Sequence, residues 1–370
     1  MKSLVGAEFP LFAFSHCRDV VAAVSRAGGF GVLGGSSFTP ESLEQELAWI
    51  DDHVNGMPYG VDILVPEHQD IGQGLNIDEL VAKVPAKHID FAVDLLRKHL
   101  IAVGPDDVLT RELPATLPER GEQLMDVAFR HPIRLIVNAL GVAPPSMIDR
   151  ARKHGVPVGA LVGAKEHAIR QVRAGVDLLV AQGGEAGGHC GEVSTLVLLP
   201  EVLNAIMPIR SVPVLAAGGI MTGQQMAGCM AMGAAGVWTG SVWLATSEAE
   251  TSEAFRDKMI AASSRDTVRS KTRTGKPSRQ LRSAWHDAWD GLESPGALPM
   301  PMMSMISLPA FAEIEKAAAG GNRNAISLVS YWVGQGVGLV DSIRSAGGVV
   351  QDFKEEFAMA VGHLMEQVGA

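Results

Sequence analysis

One imidazole inside a glycine-rich turn is the strongest chemical signal in the sequence. The stretch Leu178 to Ser194 reads LLVAQGGEAGGHCGEVS. An apolar run, Leu178 to Ala181, has the length of a buried strand and ends at the polar Gln182. Gly183, Gly184, Gly187, Gly188 and Gly191 follow within nine positions, with His189 among them. Glycines after a strand let backbone N–H groups approach a ligand closely. A single imidazole there can serve as base, acid or hydrogen-bond donor near neutral pH. Taken alone, such a turn is equally well read as a tight connection with an incidental histidine.

The elements around it supply the context. Leu11 to Phe14 reads as a short buried strand, Asp19 to Ala27 as a helix, and Phe30 to Leu33 as a second strand. Thr39-Pro40-Glu41 opens a helix with proline in its first turn. Tyr59 to Val65 is a third strand and carries one acid, Asp62. Residues 66 to 131 break the rhythm: Glu67 to Leu75 is polar, and helical patches at Ile89–Leu100 and Glu119–Arg130 are separated by Pro105 and Pro114. Strands then recur at Ile133–Leu140, Val156–Val162, Val176–Ala181, Val212–Ala217 and Gly236–Thr239, alternating with helical segments. Eight such units predict an α/β fold, a (β/α)8 TIM barrel with a helical insertion after strand three and a C-terminal lid and helical extension. An open doubly wound sheet is the alternative. The expected division is a barrel over 1–65 and 132–245, an insertion over 66–131, and a lid with a helical region over 246–370.

Composition bounds the rest. The 370 residues exceed the roughly 250 that such a barrel needs. The net charge of −10 and the lack of a long basic block argue against nucleic acid. Cys17, Cys190 and Cys229 are odd in number and form neither a disulfide framework nor a metal motif, so a cytoplasmic location is expected. His53, His68, His88, His131, His154 and His167 show no metal spacing, and no metal site is expected. No run of 18 apolar residues suggests a membrane span.

In a barrel of this kind the active site lies at the C-terminal ends of the strands, and a phosphate is often held after strands seven and eight. Here those loops are Ala216 to Gly223 (AAGGIMTG) and Trp238 to Ser241 (WTGS). Gly218, Gly219, Gly240 and Ser241 can offer backbone N–H groups to a phosphate. His16, just after strand one, is a candidate substrate neighbour. The basic run Ser263 to Arg282 supplies Lys271, Arg273, Lys276 and Arg279 as candidates for a phosphate-bearing substrate. The methionines of Met300 to Met305 suit packing or a pocket wall, and Cys190 reads as a passive thiol.

AQGGEAGGHCG, PVLAAGGI and GAAGVWTGS together resemble the flavin-binding barrel of the nitronate monooxygenase family, formerly called 2-nitropropane dioxygenases. FPLFAF with AAVSRAGGFGVLGG resembles the family's first β-α-β unit, TRTGKPSR its lid motif, and WVGQGVGLV its C-terminal helix. The resemblance implies non-covalent FMN. It implies that His189 acts at the substrate above the flavin, as a base toward a neutral nitroalkane or as a partner of an anionic nitronate. It implies flavin contacts from Ala13, Phe14, Asp62, Gln182, Gly187, Gly188 and Ala217, and a phosphate site at Gly218, Gly219, Gly240 and Ser241. The chain departs from the family where a Pro-Met pair gives way to Ala13-Phe14-Ser15-His16, where a frequent Asn is Asp62, and where Cys190 follows the histidine.

The activity expected is FMN-dependent oxidation of alkyl nitronates or nitroalkanes with O2. The alternative is an FMN-dependent NAD(P)H reductase acting on an enone, quinone or acyl-CoA-type substrate. A catalytically silent barrel that binds a phosphorylated ligand is a third reading. The partners expected are small molecules, O2 or NAD(P)H among them, with a homodimer as one assembly and no membrane.

Overall fold

In the computed structural model, residues 1–65, 77–110 and 118–369 are described. The polar run from Glu67 to Leu75 and Pro114 fall outside them. Eight parallel strands close a barrel in sequence order: β1 (Leu11–Ser15), β2 (Phe30–Gly34), β3 (Tyr59–Asp62), β4 (Ile136–Asn138), β5 (Val158–Val162), β6 (Leu178–Gln182), β7 (Val214–Ala217) and β8 (Gly236–Thr239). β1 pairs with both β2 and β8, which rules out the open sheet. A two-stranded antiparallel ribbon, β9 (Thr267–Ser270) and β10 (Ser278–Leu281), stands apart.

The helices are α1 (Lys2–Val5), α2 (Arg18–Arg26), α3 (Pro40–His53), α4 (Ile77–Ala82), α5 (Ala86–Lys98), α6 (Pro118–Ala128), α7 (Pro145–His154) and α8 (Lys165–Ala174). They continue as α9 (Thr195–Ile206), α10 (Gly223–Ala231), α11 (Glu253–Ala261), α12 (Ala284–Trp289), α13 (Met302–Ala319), α14 (Arg323–Ile326) and α15 (Ala346–Val368). Local chemistry sets several of their starts. Thr39 and Ser42 form a capping box on α3 with Pro40 in the first turn, and Thr222 caps α10 through Gln225 N–H.

Side chains alternate along each strand between two cores. Phe12, Phe30, Val32, Leu178, Val180, Leu215 and Trp238 fill the barrel interior, plugged below by Val5 and Ala7. Leu11, Ala13, Leu33, Val61, Leu179, Ala181 and Ala216 face the helix layer. The same alternation carries Phe14, His16, Asp62 and Gln182 inward at the C-terminal ends of β1, β3 and β6, where all four line one cavity.

Several apolar runs outlast their strands. β3 stops at Asp62, yet Ile63 and Val65 stay buried. The Asn138 amide explains this: its oxygen accepts from Val65 N–H at 3.0 Å and its nitrogen donates to Val65 C=O at 3.1 Å. A side chain thus replaces the ladder beyond the strand.

A second core lies outside the barrel. Leu80, Val93 and Leu96 pack with Phe255, Trp285, Met303, Phe311 and Val337. Phe91 meets Trp289 edge-on at 4.8 Å, joining α5 to α12. α6 packs instead on the barrel side, against α3 and through Leu124 and Met125. WVGQGVGLV is not an α-helix: it is a bridge residue, Trp332, followed by a 3-10 turn, Gln335–Leu339. Close approach dictates this, because a Cβ on Gly334 would lie 2.6 Å from Glu185 O and one on Gly336 2.8 Å from Gly219 O. Among the described residues, no helix is long and apolar enough to cross a membrane.

Candidate active site

A cavity of about 1130 Å³ opens at the C-terminal ends of the strands. It gathers Phe14, His16, Asp62, Gln182, Gly187, Gly188, His189, Ala217, Gly218, Gly219, Gly240, Ser241 and Lys276 from the sequence candidates. No group of three or more potential metal ligands occurs among the described residues.

The glycine turn after β6 is held from three sides. The Glu185 carboxylate accepts from Thr195 N–H at 2.9 Å and from its hydroxyl at 2.9 Å. Gly183 N–H donates to Ala217 C=O at 2.9 Å, tying the turn to β7. The ribbon closes over it: Gly188 and Arg279 exchange backbone hydrogen bonds of 3.0 and 2.8 Å. Gly187 is obligatory here, because a Cβ would lie 2.8 Å from the backbone at Val333 and Gly334.

This scaffold sets the protonation of His189. Its Nδ1 lies 3.2 Å from Pro277 C=O. A carbonyl only accepts, so Nδ1 carries the proton and Nε2 is left as the ring's free acceptor. Desolvation lowers the His189 pKa, with the Lys276 charge adding to it and the Pro277 carbonyl opposing. The ring is therefore a neutral base at physiological pH, exposed to the cavity.

The inner wall differs in character. His16 Nδ1 lies 3.0 Å from Gly34 C=O, so it too is the protonated nitrogen. Burial lowers the His16 pKa. Asp62 lines the same cavity, and β3 pairs its backbone with Gly34, whose carbonyl meets His16. Burial alone pushes the Asp62 carboxyl up to about 7, with no basic group offsetting it. Phe14 and Trp238 continue this wall as stacked rings 6.1 Å apart.

The turns after β7 and β8 form a cradle. Gly218 and Gly219 have φ of +119° and +67°, a backbone that side chains strain. Gln225 pins this turn, donating to Gly219 C=O at 3.0 Å and accepting from Met221 N–H at 2.7 Å. A Cβ on Gly240 would meet nothing within 4 Å. Ser241 opens a 3-10 helix, whose first N–H groups lack intrahelical partners. Bare backbone, open space and free donors fit the phosphate of a flavin nucleotide, and the Phe14–Trp238 wall fits its ring.

Four candidates lie elsewhere. Ala13 faces the helix layer, so only its backbone could meet a ligand. Lys271 is exposed and does not line the cavity. Arg273 is turned inward, 4.0 Å from the Phe311 ring and 4.7 Å from that of Trp332, donating to Ser330 C=O at 3.1 Å. Arg279 spends its guanidinium on Gly184 C=O, at 3.0 and 2.7 Å. A buried guanidinium needs internal acceptors: Arg273 finds one at Ser330 and Arg279 finds one in the glycine turn after β6. Conversely, Trp238, Met221, Tyr331, Trp332, Arg170 and Arg269 line the cavity without having been singled out. Trp238, Met221 and Trp332 sit inside quoted motifs and Arg269 inside the basic run, whereas Arg170 gives no local signal because only barrel closure brings α8 to the site.

The family model for nitronate monooxygenase matches residues 12–356. The chain belongs to the nitronate monooxygenase family. Flavin is characteristic of that family, and the chain is an oxidoreductase of this type. It is 50% identical over 368 residues to a Mycobacterium tuberculosis protein named as a candidate monooxygenase, covering 98% of this chain and 97% of the other. A nitroalkane oxidase structure from Streptomyces ansochromogenes superposes with a TM-score of 0.79 at 24% identity, covering 98% of this chain and 99% of that one. FabK from Thermotoga maritima gives a TM-score of 0.71 at 24% identity, covering 99% and 98%. These two likenesses carry the fold. Membership in the nitronate monooxygenase family rests on the model match and the mycobacterial relative.

Proposed function

We propose that the chain binds FMN in this cavity and oxidises alkyl nitronates or nitroalkanes with O2. The observation that carries the reading is His189: its Nδ1–H is committed to Pro277, which leaves Nε2 as a neutral acceptor at the cavity. Bound FMN would supply the electron-accepting chemistry, which no side chain here can provide. The turns at Gly218–Gly219 and Gly240–Ser241 would hold its phosphate. Phe14 and Trp238 would flank the ring, with Gln182, Gly187 and Gly188 beside it.

The roles of the side chains follow from their protonation. His189 Nε2 can take the proton from the carbon next to a nitro group. Toward a nitronate, which has already lost that proton, no base is needed and His189 would orient the anion. A neutral Asp62 offers the inner wall a hydrogen-bond donor. The lid, bonded to the glycine turn at Gly188, would limit water at the reacting carbon.

The test is anaerobic absorbance of the purified protein mixed with propyl nitronate, and separately with NADH or NADPH. Bleaching of the flavin band by the nitronate alone is expected. His189→Asn should lower turnover of neutral nitroethane by about 10²- to 10⁴-fold while flavin content stays the same. Unchanged nitroethane turnover in that variant would remove His189 as the base.

One observation favours a second reading, an FMN-dependent NAD(P)H reductase of an enone, quinone or acyl thioester. The cavity of about 1130 Å³ exceeds the roughly 300–1,000 Å³ of most ligand pockets. Bleaching by the pyridine nucleotide alone would replace the first reading with this one.

A further inference from the structure

Among the described residues Asp62 is the only buried carboxyl. It is 4% exposed and lines the cavity, yet it has neither a hydrogen bond nor an ion pair among those residues. A carboxyl enclosed without a partner destabilises a fold, so one placed at a cavity wall points to a ligand as its partner.

The strand register shows which part of the cavity it serves. Asp62 pairs with Gly34 across β3 and β2, and neighbouring strands lie about 4.8 Å apart. Paired residues present their side chains on one face. On that face a Cβ on Gly34 would lie 2.6 Å from His16 Nδ1 and 2.8 Å from Phe14 Cζ. Gly34 thus admits both rings at the level of Asp62. Between the acid and the aromatic wall that fits a flavin ring stands a residue with no side chain.

No charge on the neighbouring elements fixes the acid in one state. From β1, His16 is kept neutral by burial. β4 places Val137 and Asn138 alongside, and the Asn138 amide is spent on Val65. The turn after β2 supplies Ser36, which accepts from Leu64 N–H at 2.8 Å. Arg170, His189, Arg269, Lys276, Glu250 and Glu315 line the cavity without acting on Asp62. Burial alone pushes the carboxyl up to about 7, so a new charge nearby moves it between acid and carboxylate.

We propose that Asp62 couples reduction of the flavin bound in this cavity to the uptake of a proton. This rests on the FMN reading of the site and deepens it by one side chain. Two electrons from the nitronate or nitroalkane, with one proton, leave a flavin ring that carries a negative charge. Against that charge the Asp62 carboxylate takes a second proton from solvent and becomes a neutral acid. Reduction then consumes two electrons and two protons, in place of two and one. A charge beside the ring is a means by which a protein tunes a flavin.

The test is the reduction potential of the FMN-loaded protein against pH, by equilibration with redox dyes. One extra proton per two electrons changes the equilibrium constant tenfold per pH unit, which is about 30 mV. Above pH 7 the wild-type potential is expected to fall about 30 mV per pH unit more steeply than that of Asp62→Asn. Asp62→Ser, which also lacks the acid, should follow Asp62→Asn and serves if the amide variant fails to fold. A second readout is the infrared C=O stretch of a protonated carboxyl, seen in wild type minus variant. It should be lost as pH rises through about 7 without flavin, and should persist at pH 8 with reduced FMN bound. Parallel potential–pH lines in all three proteins, or a carboxyl band that reduced FMN leaves unchanged, would overturn the coupling while FMN binding stands. A protein that takes up no FMN would remove the FMN reading itself, and the coupling with it.

Discussion

Alanine at Gly218 and at Gly240 should fail in opposite ways. At Gly218 the backbone has φ +119°, and a new Cβ would lie 2.6 Å from Thr195 Oγ1 and 3.2 Å from Gly183 N. Holding alanine in such a conformation costs about 1–3 kcal/mol. Moving the Thr195 hydroxyl aside would forfeit the one hydrogen bond its O–H can donate, to the Glu185 carboxylate at 2.9 Å. A bond to a charged acceptor is worth about 1.5–3 kcal/mol. The sum is about 2.5–6 kcal/mol, which at about 2.1 cal/mol/K per residue over 370 residues lowers Tm by roughly 3–8 °C. At Gly240, φ is −129° and the added Cβ meets nothing within 4 Å. Gly240→Ala should therefore melt within about 2 °C of the wild type without flavin. The methyl group would still intrude on the proposed phosphate cradle. Loss of one charge-assisted hydrogen bond there, about 1.5–3 kcal/mol, weakens FMN binding about 10- to 100-fold. Differential scanning fluorimetry of flavin-free protein and fluorescence titration with FMN read the two effects. Wild-type FMN affinity in Gly240→Ala would refute the phosphate assignment, and a wild-type Tm in Gly218→Ala would refute the steric account.

Three further outcomes follow from charge and packing. Asp62 is neutral in the fold up to about pH 7 but ionises from about 3.8 in the unfolded chain, so its contribution is fully present below 3.8 and lost as pH rises through 7. Asp62→Asn should raise Tm at pH 8 by several degrees more than at pH 4; an equal change at both would count against the buried acid. His286, held down to about 4 by burial and then by the Arg273 charge, works in the opposite direction. Stability falls as pH drops from 6.5 to 4 and levels off below, by about 3 kcal/mol, and His286→Gln should flatten that limb of a Tm–pH curve. Arg279→Ala removes both guanidinium bonds to Gly184 C=O, so hydrogen exchange over residues 267–281 should quicken while the barrel strands stay protected; unchanged exchange would show that the backbone pair with Gly188 suffices.

Much of the fold and part of the site are legible because both follow the period-2 rule. Once β1 is read from Leu11, the inward positions Phe12 and Phe14 continue to His16, and the same count along β3 and β6 gives Asp62 and Gln182. The glycine turns are equally legible, since Gly187 and Gly218 fill gaps that no Cβ could enter. Strand ends are less so, because the apolar run Ile63 to Val65 owes its burial to Asn138, far along the chain. The arginines of the basic run illustrate the other limit. A basic run looks alike whether its charges face a ligand or acceptors within the fold, and Arg273 differs from Lys276 only through Phe311, Tyr331 and Trp332, which come from α13 and beyond.

That difference bears on how the β9–β10 ribbon is held. Arg279 and Arg273 lie on and beside one ribbon, yet one grips the glycine turn and the other is caged by aromatic rings from the C-terminal core. The ribbon is therefore bonded at one side to the turn that carries His189 and at the other to the second core. Pro277, whose carbonyl fixes the His189 tautomer, lies between the two anchors. A change in the C-terminal core thus reaches the imidazole through one short segment. Phe311→Ala would remove a ring 4.0 Å from the Arg273 guanidinium, at a cost of about 3–5 kcal/mol in a buried position. If the ribbon transmits that change, the pH profile of nitroethane turnover should shift, because Nδ1 of His189 loses its fixed acceptor. If stability alone is affected, Tm falls and the profile stays where it was, and the two anchors then act independently.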